Sequence, residues 1–267
     1  GLTYTYKLRK NVKFHNGRPM AADDVIWSLT RIMDAKTASP CARYVRVIKG
    51  AKDMETGKSE TITGLVKIDD YTVAITYENV IDPAYSLFEP CVAVLPKEEV
   101  EARGSDFAIN PVGCGPFEIK SWKKGSELVM EKFDDFYLED RPYLDKLIYN
   151  VMPEGAARDV GFRNQELDAT IVGSAQYPAY QKDPVISKNM VEVAEMFTRH
   201  MGFNTSFKPF ADKRVRQAIN YAINEKIIIE KLLKGKAFEA VSFLPTTSTG
   251  FNPELKAYGY DVEKAKQ

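Results

Sequence analysis

The sequence predicts a mixed α/β fold, and two features carry that expectation. Segments in which apolar and polar residues alternate are interleaved with segments whose apolar residues recur every three or four positions, so strands and helices follow one another along the chain. With 267 residues, 44% of them hydrophobic and 28% charged, there is enough apolar material for one large or two ordinary cores. No internal repeat and no low-complexity linker interrupts it.

Leu2, Tyr4, Tyr6 and Leu8 alternate with Thr3, Thr5, Lys7 and Arg9, the period of two of a strand with one buried face. Asn16-Gly17 supplies the positive backbone angles of a tight turn, with His15 read as a solvated residue beside it. From Ala22 the period changes: Val25, Leu29 and Ile32 share a helical face, and Asp23 and Asp24 suit the positive end of the helix dipole, predicting a helix to about Asp34. Residues 41–57 read as a short helix plus loop. Hairpins are predicted over 64–77, turning at Asp69-Asp70, and over 116–133, turning at Lys124-Gly125, with a further strand at 146–152. A helix over 155–166 is followed by a strand-like stretch at 167–172, then by a short helix at 177–181 broken by Pro178 and Pro184, then by extended runs at 191–197 and 198–204. Near the end, Asp212 can cap a helix carrying Val215, Ala218, Ile219 and Ala222, and Asn224 can cap another over 225–234 that Gly235 stops.

Lysine plus arginine and aspartate plus glutamate both total 37, so no net field draws in nucleic acid or an anionic membrane surface. The apolar runs fall far short of the roughly 20 residues of a bilayer-crossing helix. The opening on Gly1, directly inside a strand-like alternation, predicts a chain cut from a longer one. Cys41, Cys91 and Cys114 are too widely spaced for a Cys-x-x-Cys unit. Buried thiols are the simplest reading, with a Cys91–Cys114 or Cys41–Cys114 disulfide as the alternative.

Catalysis finds little support in the residue pattern. There is no His-Glu-x-x-His helix, no Gly-x-Ser-x-Gly elbow and no phosphate-binding glycine loop, and neither His15 nor His200 has acid–base company nearby in sequence. The pairs Asp23-Asp24, Asp69-Asp70 and Asp134-Asp135 fit a helix start and two turns. Gly113-Cys114-Gly115 lets the backbone turn sharply or approach a ligand closely.

Four stretches in a fixed order resemble the family 5 solute-binding proteins, the peptide, dipeptide and nickel receptors of ABC importers. They are Leu2 to Arg9 leading through Val12-Lys13-Phe14-His15-Asn16-Gly17 to Ala22-Asp23-Asp24-Val25; Asn110 to Phe117; Phe162 to Asp168; and Gly202-Phe203-Asn204-Thr205 through Pro209-Phe210 to Arg214 to Asn224. Thr37-Ala38-Ser39-Pro40 ahead of Cys41 and Tyr44 is similar to the oligopeptide-binding branch, but Cys41 stands where that branch often has an aromatic. Ala21 stands where the family commonly has a threonine cap, a loss of about 1 kcal/mol in stability.

The resemblance implies a type 2 periplasmic binding protein fold whose two lobes close over a ligand by hinge motion. It implies residues 1–108 as an accessory subdomain of the first lobe, 109–203 as its central α/β part and 204–267 as the start of the second lobe, with an export signal before Gly1 and more chain after Gln267. It further implies that Cys41, Tyr44, Cys114, Val172, Gly173, Ser174, His200 and Asn204 line the cleft. Gly173 and Gly115 would offer backbone groups, Cys41 and Val172 apolar volume, and His200 or Asn204 a polar contact. The implied function is a non-enzymatic, cofactor-free receptor, a monomer in the periplasm or at the cell surface, with a lipid anchor as one option, that captures a peptide or similar solute and delivers it to a permease and its ATPase. A peptide sensor or chaperone-like protein is the alternative, followed by a cytosolic enzyme whose site lies in missing sequence.

Overall fold

The tyrosine and threonine alternation at the start of the chain forms β1 (Thr3–Lys7), with Tyr4 and Tyr6 half-buried and the residues between them exposed. The computed structural model describes residues 1–267, the side chain of Tyr85 apart, and the chain divides into two compact units, Gly1–Val151 and Met152–Gln267.

In the first unit the Asn16-Gly17 turn, with Gly17 at φ +85°, leads back to α1 (Ala22–Met33). Alanine at the cap offers no side-chain acceptor, so only half of a capping arrangement exists: the Ala21 N–H donates to Asp24 Oδ2 at 2.8 Å. Arg18 then grips the same carboxylate with both terminal nitrogens, at 2.6 and 3.1 Å, and reaches Glu98 at 2.5 Å. One guanidinium thereby joins the turn, the start of α1 and the start of a later helix. Two short helices, α2 (Ala42–Val45) and α3 (Ala51–Glu55), replace the single one expected. The predicted hairpin is β2 (Leu65–Asp69) and β3 (Thr72–Thr76), and β1 pairs antiparallel on the other edge of β3, giving the order β1-β3-β2. Gly64 enters this hairpin where a Cβ would lie 2.5 Å from the Thr76 carbonyl oxygen, which only glycine permits.

The main core forms where α1 buries Leu29, Ile32 and Met33 with Val73, Ile75 and Tyr77 of the sheet and Val45 and Ile48 of the α2 region. Helices α4 (Ala84–Leu87) and α5 (Lys97–Arg103) close the unit, and Tyr77 and Ser86 share a buried hydroxyl–hydroxyl bond of 3.0 Å. A second antiparallel sheet is a meander of β4 (Phe117–Lys123), β5 (Glu127–Lys132) and β6 (Lys146–Asn150), turning at Gly125 with φ +79°.

The second unit sets short helices among long irregular segments: α6 (Gly155–Arg163), α7 (Tyr177–Lys182), α8 (Lys208–Ala211), α9 (Lys213–Ala222), α10 (Glu225–Ile227) and α11 (Val262–Lys266). The two predicted caps hold, since Asp212 accepts from the Arg214 N–H and Asn224 from the Ile227 N–H. Beyond α10 the helix loosens into a π turn over Ile228–Leu232 before Gly235 at φ +82°. Pro178 does not break its helix, because it lies in the first turn of α7, where a missing N–H costs nothing. The strands expected at 167–172, 191–197 and 198–204 are not formed. Alternation gives a segment its two faces, but a strand also needs a backbone partner, and among the described residues these segments have no ladder.

Candidate functional site

The residues expected at a cleft fall in both units. In the first, Cys41 precedes α2 and is bonded to Cys91, fifty residues away. This corrects the cysteine expectation: neither pairing with Cys114 forms, and Cys41 contributes a cross-link in place of free apolar volume. Sequence spacing could not reveal it, because pairing depends on a Cα–Cα distance, here 6.3 Å, set by the fold. Tyr44 lies one turn along, half-buried, with the Arg43 guanidinium 4.6 Å from its ring centre and donating to its hydroxyl at 2.6 Å.

Cys114 packs against a separate small core formed by Val12, Phe14, Met20 and Val112. Burial pushes its pKa up, which disfavours the thiolate. The glycines beside it serve His15. The Gly113 N–H donates to Nδ1 at 3.3 Å, which leaves Nε2 as the protonated nitrogen, donating to the Gly115 carbonyl at 3.0 Å. The imidazole also packs edge-on to Phe133 at 5.0 Å. His15 is therefore a clasp between two segments 98 residues apart and not a solvated turn residue; the glycine pair was visible in the sequence, its partner was not.

In the second unit Val172, Gly173 and Ser174 form one continuous loop. Val172 and Gly173 border a cavity of about 10 Å3, room for about one water, together with Asp159, Thr170, Gln176 and Tyr180. Thr170 Oγ1 is buried there with no protein partner. The Tyr180 hydroxyl holds the Asp159 carboxylate below the usual carboxylate range, and Arg163 adds to the effect. The Gly173 carbonyl starts α7 by accepting from the Gln176 and Tyr177 N–H groups at 3.2 and 3.0 Å. Sequence reasoning missed Lys236, whose Nζ donates to the Val172 carbonyl oxygen, because nothing local marks a contact across 64 residues. His200 and Asn204 have separate local partners. His200 donates from Nδ1 to the Thr198 carbonyl at 3.1 Å and packs edge-on to Phe243, while Asn204 Oδ1 accepts from the Ser206 N–H at 3.0 Å.

Among the described residues, no three His, Cys, Asp or Glu side chains are grouped to hold a metal ion, and no helix is long and apolar enough to cross a membrane. With the Val172 and Gly173 carbonyls engaged, what the 172–174 loop offers is backbone N–H groups outside any ladder, equipment for recognition by hydrogen bonding.

A sequence model of the bacterial extracellular solute-binding proteins, family 5 (middle region), matches residues 1–267. The dipeptide-binding protein of Escherichia coli K12 is 29% identical over 281 residues, covering 100% of this chain and 51% of that protein. Heme-binding protein A of Haemophilus influenzae is 30% identical over 283 residues, covering 100% of this chain and 50% of that protein. In three dimensions the chain is similar to the periplasmic binding protein DppA of Helicobacter pylori in complex with the peptide STSA, with a TM-score of 0.83 and 27% identity over 100% of this chain and 53% of that one. The mixed α/β fold of the periplasmic binding proteins, expected from the sequence, is the fold found. The chain spans about half the length of the relatives it matches.

Proposed function

The chain belongs to the bacterial extracellular solute-binding proteins of family 5, and we propose that the protein it forms part of is the substrate-binding component of an ABC importer, taking up peptides. The observation that carries this reading is similarity along all 267 residues to binding proteins named for dipeptides and to one solved with a bound tetrapeptide. The relatives are solute-binding proteins and not enzymes, in keeping with a site made of backbone groups.

On this reading Val172, Gly173 and Ser174 meet the ligand main chain. Tyr44, Cys114, His200 and Asn204 are further ligand contacts on the family resemblance, and the Cys41–Cys91 disulfide stiffens the segment ahead of α2. Residues 1–108 form the accessory subdomain of the first lobe, 109–203 its central part and 204–267 the start of the second. The disulfide supports a location outside the cytoplasm, where thiols are not kept reduced, in the periplasm or at the cell surface. The partners are the permease and ATPase of the importer, with the binding protein a monomer.

The test is native mass spectrometry of the full-length protein with an equimolar mixture of di- to pentapeptides, with hemin as a parallel probe. Stoichiometric peptide adducts are expected. Hemin adducts without peptide adducts would replace the peptide reading with a heme one, and peptide binding in a strain whose peptide uptake survives deletion of the gene would favour a sensor.

A further inference from the structure

An irregular loop without ladder partners depends on side chains to hold its shape. At 172–174 that role falls to Lys236. Its Nζ donates to the Val172 carbonyl oxygen, for which no backbone N–H serves as partner among the described residues. The same ammonium lies 5.5 Å from the centre of the Tyr177 ring, the geometry of a cation–π contact. Tyr177 is itself buried and tied at its other end, since its hydroxyl donates to both carboxylate oxygens of Glu192 at 2.8 and 3.0 Å.

Glu192, Tyr177, Lys236 and Val172 thus form a connected series of anion, hydroxyl, ring, cation and carbonyl that draws together three segments distant in sequence. The turn it ends on is closed by the Gly173 carbonyl, which accepts from the Gln176 and Tyr177 N–H groups at 3.2 and 3.0 Å. Holding a lysine side chain in one place costs rotamer entropy, which a charge-assisted hydrogen bond and a ring face together offset. From these contacts we propose that Lys236 is a positioning residue, which fixes the Val172–Ser174 loop and so sets the affinity for the ligand main chain; this rests on the peptide-binding reading of that loop.

Lys236→Met keeps the apolar stem and removes the donor, whereas Lys236→Arg keeps a cation that can donate and stack. In the full-length protein, K236M is expected to speed amide hydrogen exchange at Gln176 and Tyr177 about tenfold, with K236R close to wild type and the melting temperature the same in all three. The same proteins are titrated with the tightest-binding member of the di- to pentapeptide mixture, where K236M is expected to bind about tenfold more weakly and K236R to recover most of the loss. Unchanged exchange in K236M overturns the proposal, as does faster exchange with unchanged peptide affinity. A wild-type protein that binds no member of the mixture overturns the peptide reading instead, and the exchange experiment then decides for or against the tie.

Discussion

In the unit Gly1–Val151, α1 lies across the β1-β3-β2 sheet and seals a core in which Ala22, Val45, Ile48 and Val73 are wholly buried. In the unit Met152–Gln267 the buried large side chains are Tyr177 and Tyr180, while Val191, Ile171 and Phe238 are 90%, 83% and 77% exposed. Composition does not explain the contrast, since both units supply valine, isoleucine and phenylalanine in quantity. Partnership does. In the first unit every predicted strand finds a neighbouring strand, and α1 covers the β1-β3-β2 sheet, whereas in the second the alternating segments at 167–172 and 191–204 find no strand partner. Hydrophobic patterning prepares a face, and burial follows only where a second face meets it.

The largest expected effect is on protease susceptibility. Because cleavage of a folded chain requires local opening, sites within 191–204 should be cut on the order of a hundredfold faster than sites within α1 or the β1-β3-β2 sheet. Equal rates, followed by mass spectrometry of the fragments, would break the comparison. Next, Leu29→Ala empties a closed core and should cost about 2–5 kcal/mol in urea unfolding, whereas Ile171→Ala at an exposed position should stay within about 0.5 kcal/mol. Replacing both Cys41 and Cys91 by serine should cost about 2–4 kcal/mol, confined to the first unit, as the unfolded chain regains the freedom of a closed loop.

Smaller still is Tyr77→Phe, which deletes the buried bond to Ser86 and should cost about 1 kcal/mol by the same denaturation assay. The least effect comes with acid. Asn16 and Arg103 hold Glu99 below the usual carboxylate range, so its contribution is present above its unfolded pKa and is lost as pH falls through the lower folded value. The urea midpoint of the first unit should therefore drop below about pH 4, and Glu99→Gln should make that drop shallower.

The same contrast sets what could be read from the sequence. Features that depend on a few neighbouring residues were legible: the Asn16-Gly17 turn, the acidic start of α1, both hairpins and the caps Asp212 and Asn224. Within the candidate site the loop Val172-Gly173-Ser174 came from the family resemblance and not from a local pattern, since the strand expected ahead of it is not formed. Its support was not, since Lys236 reaches it across 64 residues and Tyr177 is held by Glu192. The Cys41–Cys91 bond and the His15 clasp are hidden for the same reason, each depending on how distant segments pack. The unformed strands err in the opposite direction, because local alternation was present and a partner was not.

Each unit holds one of the two histidines of this chain, and their hydrogen bonds place the ring proton on different atoms. His15 receives a backbone N–H at Nδ1 and so carries hydrogen on Nε2, while His200 donates from Nδ1 to the Thr198 carbonyl. Opposite tautomers have distinct nitrogen-15 resonances. A single histidine-labelled sample therefore contains two spectroscopic probes that need no engineering, one reporting whether the first unit is clasped and the other following the second unit independently.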